Sequence, residues 1–332
     1  MQTRQLGRII VPAIGLGCMG MSEVYGLADE SESIATIHDA LDAGVTLLDT
    51  GDFYAMGSNE MLLRKALQGR PRNSYLLSVK FGGMRDPSGG FIGFDGRSAS
   101  VKNFLSYSLK RLGTDYVDIY RPSRVDPNVP IEETVRAIAD MVKAGYVRHI
   151  GLSEAGADTI RRANSVHPII DLQIEYSLFS RGIESQILPS CRELGIGITA
   201  YGVLSRGLLS GHWSKERGAE GRDMRGHMPR FSGENVDRNL ALVESLGAFA
   251  KTRGCTVAQV AIAWVLSRGN DIVPLVGSRT RGQLKETLGA LDISLSRDDI
   301  ERIEQMIPAG SVAGDRYAPQ QMSTLDSEKG AR

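Results

Sequence analysis

The chain has 332 residues, of which 42% are hydrophobic and 23% charged, so it can bury a large core and is neither disordered nor fibrous. Lysine plus arginine equals aspartate plus glutamate at 39 each, so we expect no nucleic acid and no membrane as a partner. The three widely spaced cysteines exclude a disulfide framework and a cysteine metal site, and they favour a reducing, cytoplasmic setting.

The first apolar stretch, residues 9–21, follows two arginines and therefore has to be compared with a secretory signal peptide. Pro12 and three glycines interrupt it, and no small-residue cleavage site follows, so a signal peptide is not expected. No uninterrupted run of about 18 apolar residues occurs, which argues against a spanning helix. Residues 3–11 instead predict a small hairpin that turns at Gly7, outside the main fold.

Short apolar runs alternate with longer amphipathic segments along most of the chain. Glycine follows four of the predicted helices, where a left-handed residue turns the chain into the next strand. This alternation predicts parallel strands joined by helices. The eight predicted strands span residues 14–18, 46–49, 75–81, 117–120, 149–152, 171–174, 197–201 and 272–276.

Eight such units fit an α/β fold of the (β/α)8 TIM barrel type, with extra C-terminal helices. A doubly wound open sheet has the same alternation, but its GxGxxG signature is missing, because Gly15, Gly17 and Gly20 are spaced differently. We therefore favour one barrel domain over residues 1–332. Residues 204–237 are a candidate lid after the seventh strand, and residues 317–332 predict a loose tail.

Chemistry-bearing residues stand at the ends of the second and third strands. Asp49 ends the second strand and Tyr54 follows in the next loop, while Lys80 ends the third strand among apolar residues. An unpaired ammonium would be costly there, and Asp49 is its natural partner. Barrel enzymes place catalytic groups at these strand ends. The alternative interpretation is a structural ion pair beside a packed tyrosine.

A series of segments, in order along nearly the whole chain, resembles the aldo-keto reductase family. The matching segments are Asp49-Thr50 with Tyr54, residues 57–60, Lys80, residues 124–127, 151–153, 173–177, 201–204, 207–211 and 277–279. The resemblance implies an NADPH-dependent oxidoreductase that transfers hydride to the carbonyl carbon of a small aldehyde or ketone. Tyr54 would give its proton to the carbonyl oxygen as general acid. Because a free phenol titrates near about 10, Lys80 would stabilise the phenolate while Asp49 holds the lysine.

The remaining catalytic residue of the family is a histidine just before Arg-Val-Asp-Pro, and here Ser123 stands in its place. None of the five histidines lies where it could obviously substitute. Loss of one donor to the carbonyl oxygen costs on the order of 100- to 1000-fold in rate. Ser123 can still donate, but it is shorter, so it needs a bridging water or admits a bulkier substrate.

Three outcomes follow from the serine at position 123. The protein is a working reductase with an altered substrate range, a slow enzyme, or an NADPH-binding redox-sensing or regulatory subunit with little turnover. We favour the first, because Tyr54, Lys80 and Asp49 all remain.

The resemblance also implies a cofactor site. Ser153 and Gln173 would hold the nicotinamide carboxamide, Tyr201 would stack on the ring, and the backbone of residues 203–209 would follow the pyrophosphate. Glu154 stands where the family often has asparagine, which leaves a contact there open. The full predicted set is Gly20, Met21, Ser153, Gln173, Tyr201, Gly202, Val203, Leu204, Ser205, Gly207, Leu209, Gly277, Ser278, Arg279, Gln283, Glu286 and Thr287.

At the adenosine end, Arg279 and Arg281 open a predicted helix. A helix N-terminus with added guanidinium groups suits a phosphate, which favours the 2′-phosphate of NADPH over NADH. The alternative is that both arginines are solvated surface residues. Trp213 and Met21 are predicted to line the substrate pocket. No metal site is expected, and the oligomeric state does not follow from the sequence.

Overall fold

Eight parallel strands close into a barrel in the computed structural model, which describes residues 1–22, 25–213 and 223–329. The barrel strands are β3 (Gly15–Gly17), β4 (Leu47–Gly51), β5 (Leu76–Phe81), β8 (Val117–Pro122), β9 (Val147–Ser153), β10 (Ile169–Glu175), β11 (Gly197–Tyr201) and β12 (Ile272–Val276). They pair in this order, and β12 pairs with β3. The predicted TIM barrel is confirmed, and the open-sheet alternative is wrong because the sheet closes.

Helices surround the barrel and bury one face each. They are α1 (Glu30–Asp42), α2 (Ser58–Ala66), α3 (Ser98–Leu112), α4 (Ile131–Lys143), α5 (Ala157–Val166), α6 (Ile187–Glu193), α7 (Gly233–Thr252), α8 (Val257–Ser267), α9 (Arg281–Gly289), α10 (Arg297–Met306) and the short α11 (Pro319–Met322). In α4, Ile131, Val135 and Ile138 recur at helical spacing and are all buried. None of the described helices is both long and apolar enough to cross a membrane.

The N-terminal hairpin closes the floor of the barrel. Its strands β1 (Thr3–Leu6) and β2 (Ile9–Pro12) pair outside the barrel sheet, with Gly7 left-handed at φ 56°. Leu6 and Val11 pack against inward-facing residues of four barrel strands: Leu47, Ile119, Ile170 and Val273. A Cβ atom on Gly197 would lie 2.7 Å from Leu6, so glycine there makes room for the hairpin. The hairpin is therefore part of the core at the end opposite the predicted site.

A second hairpin follows β5, and the sequence pattern did not predict it. Strands β6 (Gly83–Arg85) and β7 (Phe91–Phe94) pair antiparallel. Asp86 fixes the connecting turn by accepting hydrogen bonds from the backbone N–H of Ser88 and Gly90, both 2.8 Å. The two strands of this hairpin are too short for a clear period-two pattern, and Phe91 is half exposed.

The C-terminal segment differs from the predicted loose tail. Residues 313–329 lie against the barrel, with Arg316 7% and Leu325 1% exposed. The segment is fixed mainly by hydrogen bonds and ion pairs to buried acids, which an analysis of apolar runs does not detect. Residues 330–332 lie outside the described part.

The predicted lid after β11 is described in part. Residues 205–210, 224–227 and 229–231 form short 3-10 turns, and residues 214–222 of the predicted lid lie outside the described part. Asp223 pairs with Tyr25 in an isolated antiparallel bridge. The segment after the seventh barrel strand thus contacts the segment after the first one, across the carboxyl end of the barrel.

Candidate active site

Asp49 and Lys80 form a buried ion pair on adjacent strands. Asp49 lies on β4 and Lys80 on β5, with 3% and 4% of their surfaces exposed. Lys80 Nζ donates to Asp49 Oδ1, while Ser78 Oγ and Gln173 Nε2 each donate to Oδ2 at 2.7 Å. Burial lowers the pKa of Lys80, and Asp49 opposes that shift. Asp49 is therefore the partner of Lys80, as expected from the sequence.

Tyr54 lies beside this pair. It begins a turn in which Ala55 and Met56 are left-handed at φ 45° and 51°, a conformation that is costly for residues other than glycine and is often found at functional sites. Lys80 Nζ lies 5.0 Å from the centroid of the Tyr54 ring. The structure therefore brings the predicted catalytic trio together.

The pKa of Tyr54 differs from the expectation of an acidified phenol. Burial and then Asp49 raise the pKa well above its ordinary value, and Arg124 opposes this. Tyr54 therefore keeps its proton at neutral pH, as a proton donor must.

A second buried ion pair lies next to the first and was missed by the sequence analysis. Arg121 and Asp171 are both fully buried, with Arg121 Nη2 3.1 Å from Asp171 Oδ2. The same nitrogen donates to Ser78 Oγ at 2.9 Å, and Ser78 in turn donates to Asp49. Two acids and two bases thus form one neutral network inside the barrel, which fixes Asp49 from behind.

Two serine hydroxyls at the strand ends have no hydrogen-bond partner among the described residues. Ser123 lies just after β8 and is 2% exposed, and Ser153 ends β9 and is 1% exposed. Buried hydroxyls are normally paired, so two without such partners at the same barrel end make this a candidate ligand position. A carbonyl oxygen and a carboxamide have the acceptors that such hydroxyls need.

The predicted nicotinamide residues lie around these hydroxyls. Gln173 pairs with Ser153 across the sheet, and its amide nitrogen is bound to Asp49. Tyr201 ends β11 and hydrogen-bonds through its hydroxyl to Glu154 at 2.7 Å and to Tyr317 at 3.0 Å. The sequence analysis placed Tyr317 in the predicted loose tail and therefore missed its contact with Tyr201.

Arg124 extends this cluster towards Ser123. Its Nη1 donates to the Ser123 carbonyl oxygen at 2.6 Å, and its Nη2 donates to Tyr317 at 3.3 Å. Its charge also lowers the pKa of Tyr54 against the larger effects of burial. The family resemblance includes Arg124 only as part of the segment 124–127. No local sequence pattern indicated that its side chain reaches the site.

Glu154 is directed into the protein. It is fully buried and left-handed at φ 51°, and its carboxylate accepts two hydrogen bonds from Arg316, at 2.9 and 2.7 Å. Burial acts to raise its pKa, but Arg316, Arg124 and Ser327 together outweigh burial, and the pKa lies well below its usual range. Glu154 is therefore ionised and held by the C-terminal segment.

The residues predicted for the rest of the cofactor lie on two loops. One follows β11, where Ser205, Arg206 and Gly207 are successive left-handed residues. It holds the predicted positions Gly202, Val203, Leu204, Ser205, Gly207 and Leu209, of which Val203, Ser205 and Leu209 are buried. The other follows β12 and holds Gly277, Ser278, Arg279, Gln283, Glu286 and Thr287.

The loop after β12 contacts the loop after β3. A Cβ atom on Gly20 would lie 3.3 Å from the Arg279 side chain, and Arg279 Nη1 donates to the Tyr25 carbonyl oxygen at 3.1 Å. The Arg279 N–H donates to Gln283 at 2.8 Å. Ser278 and Thr287 share a hydrogen bond of 3.3 Å, whereas the Glu286 backbone carbonyl accepts from Gln259.

At the N-terminus of α9, Glu32 takes the position expected for a phosphate. It accepts from the Arg281 backbone N–H at 2.9 Å and from the Arg281 guanidinium at 3.0 Å. The sequence analysis missed Glu32, which lies on α1. A carboxylate that is already bound to this helix end weakens the argument for a 2′-phosphate there.

The two predicted substrate-lining residues are buried. Trp213 is 8% exposed, packs edge-to-face on Phe231 at 4.7 Å, and has the Arg225 guanidinium 4.5 Å from its ring. Its Nε1 has no partner among the described residues. Met21 is 4% exposed and belongs to the main core. A role in binding substrate therefore stays a prediction for both.

Comparison with known proteins shows the family of this chain. The model of the Aldo/keto reductase family matches residues 13–308. A probable aldo-keto reductase of Glycine max is 42% identical over 310 residues, covering 92% of this chain and 88% of that protein.

Solved structures are similar over most of the chain as well. The glycerol dehydrogenase of Gluconobacter oxydans has a TM-score of 0.83 at 26% identity, over 92% of this chain and 95% of that one. An aldo-keto reductase of Bacillus halodurans, in its holo form, has a TM-score of 0.78 at 27% identity, over 93% and 97%. With a closed barrel, a buried Asp–Lys pair beside a tyrosine, and these matches, the chain belongs to the aldo/keto reductase family of oxidoreductases.

Proposed function

We propose that this protein is an NADPH-dependent reductase of aldehydes or ketones, with Tyr54 as the general acid. Family membership supports an oxidoreductase that uses a nicotinamide cofactor and a small carbonyl compound. The observation that carries the finer proposal is the position of Tyr54 beside Lys80, the partner of Asp49, at the same barrel end as two serine hydroxyls without a partner among the described residues.

The residues present fit a dinucleotide at the carboxyl end of the barrel. Ser153 Oγ is a buried donor that no residue in the described part of the chain pairs with, and the exposed Gly277 and half-buried Gly202 let backbone lie close to a ligand. Tyr201 is half-buried and can offer one face to a flat ring. The nicotinamide, when bound in reduced form, supplies the hydride that a carbonyl carbon accepts.

The side chains of this chain then handle the proton and the charge on the carbonyl oxygen. Tyr54 donates its phenolic proton to that oxygen as negative charge develops there. The nearby ammonium of Lys80 and guanidinium of Arg124 stabilise the phenolate left behind, and Asp49 keeps the ammonium in place. Ser123 also donates a hydrogen bond to the same oxygen. Because its side chain is shorter than that of histidine, we expect this hydrogen bond to be weaker.

The second candidate is a cofactor-binding protein with little turnover, and Ser123 is the observation that favours it. The two functions separate in one experiment. We would titrate the protein with NADPH by cofactor fluorescence, then follow NADPH absorbance with 4-nitrobenzaldehyde, pyridoxal and methylglyoxal. Turnover above background supports the reductase. Tight NADPH binding without turnover on every aldehyde supports the sensing protein, and absence of NADPH binding contradicts both.

A further inference from the structure

The C-terminal segment, residues 313–329, is joined to the residues expected at the nicotinamide end of the cofactor. We propose that Arg316 is a positioning residue that holds Glu154, and through it Ser153 and Tyr201, so that docking of the C-terminal segment and binding of the nicotinamide half are coupled. The inference rests on the proposed cofactor, and it concerns residues that the resemblance does not assign to the site.

Glu154 connects the two nicotinamide residues. It follows Ser153 directly in the chain, and its Oε1 accepts from the Tyr201 hydroxyl at 2.7 Å and from the Glu175 backbone N–H at 3.0 Å. The carboxylate thus sets where the Tyr201 hydroxyl lies. Because Glu154 is left-handed, its backbone conformation has to be maintained by surrounding contacts, and the adjacent Ser153 depends on the same contacts.

Arg316 is the ion partner of the Glu154 carboxylate. Its guanidinium forms a two-pronged pair with Glu154, at 2.9 and 2.7 Å, and also donates to Glu328 at 2.7 Å. Glu175 lies 3.7 Å from the same guanidinium and also pairs with Arg206 and Arg230. Both Glu154 and Arg316 are buried, so removing the Arg316 charge takes the ion partner from the Glu154 carboxylate in a poorly solvated place, which is strongly unfavourable.

The rest of the segment binds on both sides of Glu154. The Ser327 N–H donates to the Glu154 carbonyl oxygen at 3.0 Å, and Ser327 Oγ donates to the Glu154 carboxylate at 2.7 Å. The Gly156 N–H donates to Asp326 at 2.8 Å. Leu325 anchors this stretch with 1% of its surface exposed. The segment therefore clamps the backbone directly after Ser153.

Such an arrangement makes the coupling reciprocal. If the docked segment favours binding of the nicotinamide half, bound cofactor must stabilise the docked segment by the same free energy. A purely structural role for Arg316 has no such consequence, because it would weaken every ligand equally through loss of folded protein.

The test compares two probes on the full-length protein. NADPH reaches both ends of the site, whereas 2′,5′-ADP carries only the adenosine half. For Arg316→Gln we expect the Kd of NADPH to rise about 10-fold or more while the Kd of 2′,5′-ADP stays unchanged. Arg297→Gln is the matched control, because Arg297 is 91% exposed on the C-terminal helix α10. It should change neither value.

Equal NADPH affinity in Arg316→Gln and wild type would overturn the inference, and so would an equal loss for both probes. Absence of NADPH binding by the wild-type protein would instead overturn the proposed function. Ser327→Ala removes the hydroxyl that donates to Glu154 and accepts from Arg316, and it leaves the ion pair, so it keeps the test open if Arg316→Gln does not fold. It should raise the NADPH Kd by a smaller factor, about 2- to 5-fold.

Hydrogen exchange measures the reverse direction without any turnover. NADPH should slow exchange of the Ser327 amide, which donates to Glu154, in the wild-type protein and should do so less in Ser327→Ala. The Gly113 amide, which donates to Leu109 at the end of α3, serves as the internal control. If NADPH binds and leaves exchange at Ser327 unchanged, the two events are not coupled and the inference is wrong.

Discussion

At the carboxyl end of the barrel, some residue pairs could be predicted from the sequence and others could not. The Asp49–Lys80 pair was predictable, because a lysine between apolar strand residues needs a nearby carboxylate. The pair of Glu154 and Arg316 was not predicted, since the two residues are 162 positions apart and no local sequence pattern indicates that they meet. The same holds for Arg121 and Asp171, which face each other only after the barrel closes.

The serine at position 123 leads to the first prediction. Ser123→His restores the donor that the family usually has, so it should raise kcat/KM for 4-nitrobenzaldehyde by about 10-fold or more. Ser123→Ala is the control and should lower it, because the buried hydroxyl is lost. A fall in Ser123→His for every aldehyde tested would show that the pocket is built around serine.

Glu32 leads to the second prediction, on cofactor choice. Glu32→Gln removes a negative charge from the N-terminus of α9 and frees the Arg281 guanidinium. NADPH should then bind about 3- to 10-fold tighter while the Kd of NADH stays the same, as measured by fluorescence titration. Glu30→Gln, on the same helix but paired with Lys65, should change neither Kd. Equal tightening for both cofactors would mean that Glu32 does not face the 2′-phosphate.

Asp52 leads to a prediction on pH. Burial and then Glu60 raise the pKa of Asp52 to about 7, with Arg111 opposing, and its Oδ1 has no partner among the described residues. The folded protein therefore holds this proton more tightly than the unfolded chain does. The related stability is complete below about pH 4 and is lost as pH rises through about 7.

Asp52→Asn keeps the shape and stays neutral. Its free energy of unfolding should exceed that of wild type by up to about 4 kcal/mol at pH 8 and by little at pH 4, measured by urea denaturation. A difference between the two proteins that is independent of pH would show that Asp52 is ionised throughout.

At the scale of elements, predictability followed the length and regularity of the apolar pattern. The eight barrel strands were predicted because each is a buried run bounded by turn residues, and their ends shifted by only a few positions. Strands β6 and β7 were missed, since they have three and four residues and lie partly in solvent. The C-terminal segment was missed because charges and hydroxyls fix it more than apolar area does.

The N-terminal hairpin allows a test at this scale. Leu6 is fully buried in the barrel floor, far from the catalytic end, so Leu6→Ala should lower the free energy of unfolding by about 2–5 kcal/mol. The kcat of the folded fraction should stay the same. Ile10→Ala on the same hairpin is the control, because Ile10 is 70% exposed and its loss should cost little. Equal losses would mean that the hairpin does not seal the core.

At the scale of the whole molecule, the barrel brings residues from separate strands to one end. Asp49, Lys80, Ser123, Ser153 and Tyr201 each lie on or directly after a different strand, and parallel strands place all their carboxyl ends together. The fold was therefore the strongest prediction from the sequence. Because the fold brings these strand ends together, it also predicted where the site residues lie. What the fold does not determine is the pocket shape, because loops of irregular conformation form the rim.

The central claim is that Tyr54 supplies the proton beside a bound reduced nicotinamide, and Tyr54→Phe tests it most directly. Its kcat/KM for 4-nitrobenzaldehyde should fall by about 1000-fold or more, while the Kd of NADPH stays near that of wild type. Tyr120→Phe is the control, since Tyr120 stacks on Phe81 and its hydroxyl binds the Val101 carbonyl. Activity retained in Tyr54→Phe, or an equal fall in Tyr120→Phe, would contradict the account.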